Sequence, residues 1–369
     1  MKILITGSQG FVGKNLVAEL KQGDLGQLME FDLGTDPALL DEYCKEADFV
    51  FHLAGVNRPK DTAEFMEGNF GFTSELLACL KKHKNTCPLM ISSSTQAALD
   101  NPYGQSKKAG EDLVFEYGNQ SGADVLVYRL PNLFGKWSRP NYNSVIATFC
   151  HNISRDIPIK VNDPSTVLTL VYIDDLVEEL LRALEGRASR QGKYCTVPVS
   201  HEVTLGKIVD LLENFKASRQ TLAVPDMGDE FEKKLYATYL SFLPEDAFAY
   251  PLKMNVDDRG SFTEIIRTPE RGQFSVNITK PGITKGNHWH HTKNEKFLVV
   301  AGEGVIRFRK LGSEKVIEYH VSGDKMEVVD IPPGYTHNIE NTGQVDLVTF
   351  MWANEPFDPG KPDTWFLKV

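Results

Sequence analysis

The sequence predicts two domains of different class: a doubly wound α/β domain over residues 1–243 and an all-β barrel over residues 252–369, joined by a linker at 244–251. Three observations carry this. The 369 residues exceed what one ordinary core holds. Up to about residue 240, apolar strand-like runs alternate with amphipathic helical stretches, the mark of a parallel sheet covered on both faces. Beyond Leu243 the segments are short and strand-like, punctuated by Gly, Pro, Asn and Asp; cysteine vanishes and histidine becomes dense.

In chain order, residues 2–6, 27–33, 49–54, 89–93 and 125–130 read as buried strands. Residues 14–21, 67–82 and 107–117 carry helical periodicity between them, and 175–184 and 205–215 add two helices. Pro244 and Pro251 bracket the connector. Strands follow at 274–279, 295–301, 305–310, 315–321, 326–331 and 347–352.

Composition narrows the function. Hydrophobic residues make up 41% and charged residues 24%, as in soluble globular proteins. No apolar run reaches the roughly 18 residues of a membrane span, and the chain opens on a strand without a leader-like segment. A cytoplasmic protein without membrane association is expected. Cys44, Cys79, Cys87, Cys150 and Cys195 are odd in number and form no C-x-x-C pair, so reduced thiols are expected. A net charge of −10 argues against nucleic acid as a partner, because binding it needs basic surface to replace counterions.

Gly7-x-x-Gly10-x-x-Gly13 opens a helix directly after a strand. Glycines there allow a sharp turn and bring a pyrophosphate onto the free amides of the helix N-terminus. Asp48-Phe-Val-Phe-His52-Leu53-Ala54-Gly55, Asn69, Ser92-Ser93-Ser94 and Tyr103-x-x-x-Lys107 follow. Arg129-Leu-Pro-Asn132-Leu-Phe-Gly135 and Val171-Tyr-Ile-Asp174-Asp175 complete the set. Tyr103 and Lys107 lie four apart and share one helix face, so the ammonium can lower the phenol's pKa and hold the nicotinamide ribose. A lone Y-x-x-x-K is an ordinary surface pattern; the ordered series is not.

Over about two thirds of the chain this series resembles the extended short-chain dehydrogenase/reductase family, with its Rossmann-type fold. The resemblance implies that Gly7, Gly10, Phe11, Val12 and Gly13 hold the dinucleotide with Leu53, Ala54 and Gly55. It implies Tyr103 as proton donor, Ser94 and Lys107 as its catalytic partners, and Asn132 as a substrate contact. Asp32 lies 19 residues beyond Gly13, where an acid bonds the ribose 2′-hydroxyl and repels a 2′-phosphate; it either does this or caps the turn before Pro37. Family members often carry an arginine shortly before the Val171–Asp175 segment. Residues 166–172 have none, leaving Arg139 as a substitute or as a solvated loop residue.

In the second half, Gly282-x5-His288-x-His290-x4-Glu295-x6-Gly302 resembles the first cupin motif, and Pro332-x-Gly334-x2-His337-x3-Asn341 the second, with Met326 where a leading glycine is expected. Strand alternation sends His288 and His290 to one face, where Glu295 and His337 can meet them. Three imidazoles and a carboxylate suit one divalent transition metal per chain. Zinc is assigned; iron, nickel and manganese also fit. His291 and His320 fall outside the pattern. Asp258-Arg259-Gly260-Ser-Phe-Thr-Glu264 resembles the leading strand of the nucleotide-sugar 3,5-epimerase cupins, which makes Arg259 a substrate candidate; a plain turn into a strand is the simpler reading.

Together the two halves resemble the bifunctional epimerase–reductases of capsular polysaccharide synthesis. The resemblance implies C3 epimerisation of a UDP-4-keto-6-deoxy-N-acetylhexosamine in the cupin, then NADPH-dependent reduction of C4 toward a UDP-N-acetyl-L-fucosamine product, with NADH the other coenzyme possible. It also implies a homodimer through the cupin domain. Two rivals are a ketosugar reductase whose cupin only binds sugar or pairs subunits, and a non-catalytic redox sensor. The complete Ser94/Tyr103/Lys107 set disfavours the sensor.

Overall fold

Alternation along the first strand sets the architecture of the N-terminal half. The computed structural model describes residues 1–59, 61–268 and 270–369. They form two compact units: Met1–Lys216 with Gly228–Glu245, and Ala217–Met227 with Asp246–Val369. The segment Ala217–Met227 thus belongs with the C-terminal unit, a division no single cut along the chain reproduces. None of the described helices is long and apolar enough to cross a membrane.

The first unit contains strands β1 (Lys2–Thr6), β2 (Gln27–Phe31), β3 (Phe49–His52), β4 (Leu89–Ser94), β5 (Val125–Leu130), β6 (Asn132–Phe134), β7 (Val167–Tyr172), β8 (Arg190–Gln191), β9 (Tyr194–Cys195) and β10 (His201–Thr204). The main sheet runs β2-β1-β3-β4-β5-β9-β8, parallel except for its last pair. Ile3, Ile5, Phe49 and Phe51 pack on one face against helices Phe11–Gln22 and Ile173–Leu184. Leu4, Val50, Leu89 and Val127 pack on the other against Ala38–Glu46, Phe72–Lys82 and Pro102–Ser121. Burial on both faces explains why these strands read as continuous apolar runs. A smaller sheet, β10-β7-β6, closes a third core with helices Val145–Ile153, Leu205–Thr221 and Glu230–Leu240.

Three helices lack the sequence signal that marked the others: Ala38–Glu46, Val145–Ile153 and Glu230–Leu240. The helix expected over 67–82 divides in two. Met66–Gly71 is a π-helical turn, and the α-helix begins at Phe72. Such a turn re-aims one side chain and is common at functional sites; here it carries Asn69.

The second unit is all antiparallel: β11 (Met254–Asp257), β12 (Gly260–Thr268), β13 (Gly272–Thr279), β14 (Thr284–Trp289), β15 (Glu295–Ala301), β16 (Glu303–Lys310), β17 (Val316–Ser322), β18 (Val328–Ile331), β19 (Tyr335–Asn341), β20 (Leu347–Ala353) and β21 (Trp365–Phe366). Sheets β11-β12-β13-β20-β15-β18 and β17-β16-β19-β14-β21 share a core of Phe297, Val299, Ile306, Phe308, Ile339 and Leu347. On β13 the alternation is inverted. Gln273, Ser275, Asn277 and Thr279 are buried, while Phe274 faces outward against Phe350. A strand that buries its polar side walls a polar interior rather than an oily core.

Candidate functional sites

The glycine turn is set by backbone crowding. A Cβ on Gly7 (φ 73°) would lie 2.6 Å from the Ala54 nitrogen, and one on Gly13 would lie 2.2 Å from the Gly7 carbonyl. Gly10 caps the helix that Phe11 and Val12 begin, with no side chain covering the N-terminal amides. Leu53, Ala54 and Gly55 leave β3 beside this turn, the Leu53 amide donating to the Thr6 carbonyl at 3.0 Å. The free amides and the helix dipole suit a pyrophosphate.

Asp32 stands just past β2, so the strand is two residues shorter than expected. Its carboxylate accepts from the Gln9 amide at 2.7 Å and the Leu33 amide at 2.8 Å. It borders the glycine turn and also holds the 32–35 turn before Pro37, its amide donating to the Thr35 hydroxyl and its carbonyl accepting from the Thr35 amide, each at 2.9 Å; Asp36 accepts from the Ala38 amide at the helix that follows.

Ser94 ends β4, and Tyr103 and Lys107 lie on the helix Pro102–Ser121, started by Asn101 accepting from the Gly104 amide at 2.8 Å. The Lys107 ammonium donates to the Ser92 carbonyl at 3.2 Å and lies 5.9 Å from the Tyr103 ring centroid. Burial pulls Lys107 down to about 8, with Glu111 one turn on pushing the other way. Burial drives the Tyr103 phenol up to about 12, partly offset by the Ser94 hydroxyl. Burial is thus the largest influence on the phenol.

Glu111, which no motif flagged, completes this region together with residues of the quoted series. The Asn69 amide brackets Val56 with two 3.0 Å bonds and donates to Ser106 at 3.0 Å. Fully buried Glu111 receives Arg129 in two bonds (2.8 and 2.6 Å) and Ser93 at 2.6 Å, tying β4, β5 and the catalytic helix together. Arg139 is exposed and stacks 5.2 Å over Tyr142. Asn132 lines a cavity of about 480 Å³ with Thr95, Arg129, Thr169 and Val197, beyond the carboxyl ends of β4 and β5. Ligands of open α/β sheets bind outside those ends.

In the second unit the four expected ligands converge. His288 pairs directly with His337 across β14 and β19 after an irregularity at Gly286 (φ 101°). Ring centroids of His288, His290 and His337 are 4.6–5.4 Å apart. One ligand atom from each histidine and from Glu295 all lie within 4.8 Å of one another. Glu295 Oε2 stands 3.4 Å from the Nε2 atoms of His290 and His337, and those three buried atoms make no hydrogen bond among the described residues. Buried polar atoms normally have partners, so converging orphans fit a cation. Burial lowers His288 to about 4, keeping it neutral as a ligand must be. For His290 burial acts downward, but Glu295 and a carbonyl of Asp363 raise it above its usual value.

Arg259 is not brought to this cluster. It sits on the β11–β12 turn in an ion pair with Asp257. Register places Glu295 level with Ala353, Gln273 and Arg267, roughly 24 Å of strand from that turn.

A model of the NAD dependent epimerase/dehydratase family matches residues 3–195. The chain belongs to this family. Residues 255–365 match the polysaccharide biosynthesis C-terminal domain. The chain is 44% identical to UDP-2-acetamido-2,6-beta-L-arabino-hexul-4-ose reductase of Pseudomonas aeruginosa, over all of this chain and 99% of the relative. It is similar to the crystal structure of the capsular polysaccharide assembling protein CapF from Staphylococcus aureus, with 57% identity, a TM-score of 0.95 and full coverage of both chains. UDP-glucuronic acid 4-epimerase from Bacillus cereus, 19% identical with a TM-score of 0.55, shares the fold over 66% of this chain and 99% of its own. The protein is thus an NAD(P)-dependent oxidoreductase with an all-β C-terminal half.

Two predictions follow from the site geometries. Reductase kcat/KM is expected to fall as pH rises through about 8, where Lys107 loses its charge, and Lys107→Arg is expected to move that limb upward. A profile flat to about pH 9.5 in the parent contradicts the burial argument. Elemental analysis should find about one transition metal per chain, lost in His290→Ala or His337→Ala. Protein that carries no metal and takes up no zinc would overturn the four-ligand reading.

Proposed function

We propose that the chain is a two-site nucleotide-sugar enzyme of capsular polysaccharide biosynthesis. In this reading the second unit inverts C3 of a UDP-4-keto-6-deoxy-N-acetylhexosamine, and the first unit then reduces C4 on the way to UDP-N-acetyl-L-fucosamine. The observation that carries it is a Ser94/Tyr103/Lys107 set on one unit and a three-histidine, one-carboxylate set on the other. The name of the P. aeruginosa relative supports the substrate, since it describes a UDP-linked acetamido hexul-4-ose, a 4-ketosugar.

The chemistry sets the order. The C3 proton is acidic only while C4 is a ketone, because its removal gives an enolate. Reduction at C4 removes the activating carbonyl and locks the new configuration. A divalent ion held by His288, His290, Glu295 and His337, zinc by our assignment, would supply Lewis acidity to the ketone oxygen. Level with Glu295, buried Gln273 donates to the Ser275 hydroxyl at 3.0 Å and accepts from the Phe357 amide at 2.9 Å, which keeps this wall polar. In the first unit the coenzyme supplies hydride. Tyr103 gives its phenolic proton to the C4 oxygen, Ser94 holds that oxygen, and Lys107 holds the ribose. The cavity at Asn132 takes the nucleotide sugar.

The resemblance implies NADPH, but Asp32 opposes it. Its carboxylate borders the glycine turn, and neither Gly7–Gly10 nor residues 32–35 contain a lysine or arginine to receive a 2′-phosphate. We therefore take NADH as the preferred coenzyme and NADPH as the alternative. A cytoplasmic homodimer through the second unit completes the reading. Exposed Met254, Val256, Ile266 and Phe274 on one sheet of that unit support the pairing.

Tyr103→Phe removes the proton donor but keeps the ring, so coenzyme oxidation should fall about 100-fold or more. Deuterium incorporation at C3 of the ketosugar, read by NMR in D2O, should continue, because an enolate needs no hydride. If the parent shows no exchange, the reading in which the second unit is non-catalytic takes over; if Tyr103→Phe abolishes exchange, one site performs both steps. For the coenzyme, kcat/KM should favour NADH, and Asp32→Asn should move the ratio toward NADPH by about 10-fold. An NADPH preference in the parent would refute the assignment to Asp32.

A further inference from the structure

The C-terminal segment beyond β20 carries no motif, yet it makes an unusual set of contacts with the histidine cluster. The main-chain carbonyl of Asp363 accepts from His290 Nδ1 at 2.6 Å. A carbonyl can only accept, so Nδ1 carries a proton, and in the neutral ring the Nε2 lone pair faces Glu295 and His337. By contrast, both ring nitrogens of His337 are buried without a hydrogen bond among the described residues.

The Asp363 carboxylate does a second job. Oδ1 accepts from the His291 amide at 3.0 Å; Oδ2 accepts from the amides of Thr292 and Lys293 at 2.9 Å each and from the Thr292 hydroxyl at 3.4 Å. These amides form the loop between His290 and Glu295, so one side chain sets the spacing between two ligands. Asp363 adopts φ 38°, the left-handed region, which turns its carbonyl toward His290 while its carboxylate meets the loop. Beyond it, β21 pairs with the ligand strand, Trp365 with Trp289 and Phe366 with His288. The Leu367 carbonyl receives the Thr336 hydroxyl next to His337, and the Leu367 amide donates to the Asn287 carbonyl at 2.9 Å.

We infer that Asp363 is a positioning residue of the metal centre, its carbonyl fixing the tautomer of His290 and its carboxylate fixing the 291–293 loop so that His290 and Glu295 are aligned before the ion arrives. This inference rests on the reading of the four residues as a metal site. Partners that orient metal-bound histidines typically contribute about 10- to 100-fold in affinity.

Asp363→Gly tests the carboxylate alone, since glycine tolerates the left-handed backbone where alanine would add strain. Asp363→Asn keeps one acceptor oxygen. In the full-length protein, zinc Kd measured by competition with a chelator of known affinity should weaken by about 10- to 100-fold in Asp363→Gly and less in Asp363→Asn. Far-UV circular dichroism and coenzyme binding should stay at parent values in both. If Asp363→Gly loses its fold, the comparison of Asp363→Asn with the parent decides. Variants that stay folded and bind zinc within about 3-fold of the parent would overturn the inference, leaving Asp363 a loop anchor without effect on the metal. A parent that takes up no zinc, with His290→Ala indistinguishable from it, would remove the metal reading itself and this inference with it.

Discussion

At the carboxyl end of the parallel sheet, three glycines are pressed against neighbouring groups with no room for a side chain. Gly7 meets the backbone of Leu53 and Ala54, Gly13 meets the Gly7 carbonyl, and a Cβ on Gly55 would lie 2.8 Å from Asn69 Oδ1 and 2.9 Å from Lys107 Nζ. The contacts form a chain from the dinucleotide turn to the catalytic lysine. Because the first strand is buried on both faces, it cannot shift to relieve them. The turn, the end of β3 and the ammonium of Lys107 are therefore fixed relative to one another, and the reductase site inherits its geometry from the packing of the sheet.

The second unit solves a different problem. A buried carboxylate and three imidazoles would be costly in an apolar core. They are placed where the alternation of β13 has already turned polar side chains inward, so the interior at that level is not oil. The carboxylate of Glu295 lies between two imidazoles, which hold it well below the usual carboxylate range against the opposing effect of burial. The apolar core of Phe297, Ile306 and Ile339 keeps the two sheets together beneath the cluster. Separate cores in the two units are consistent with chemistry divided between them, since each site rests on its own layer of packing.

How far the chain could be read without its fold depends on how local each feature is. The glycine turn, the Tyr103/Lys107 pair and the His288/His290/Glu295 series were legible because each lies within one short segment, where strand or helix periodicity already says which side chains share a face. His337 was legible through its own motif. The helices at 38–46, 145–153 and 230–240 were not, because they sit in segments whose apolar residues serve cores built from distant strands. The π-helical turn at Asn69 leaves no period of its own in six residues.

What only the tertiary structure decided is where distant segments meet. The sequence by itself determined the two fold classes, the glycine turn and the histidine–glutamate series, because period and spacing are properties of the local backbone. Arg259 is held by Asp257 on the β11–β12 turn, a pairing the motif did not give. Asp32 meets the Gln9 amide of the glycine loop because β1 and β2 pair side by side, a neighbour that spacing alone does not give. Glu111, joined to residues 18 positions away on either side in sequence, and Asp363, joined to a loop some 70 residues earlier, had no signature. Hydrogen bonds of that span are created by sheet pairing and chain return, which spacing within a segment does not encode.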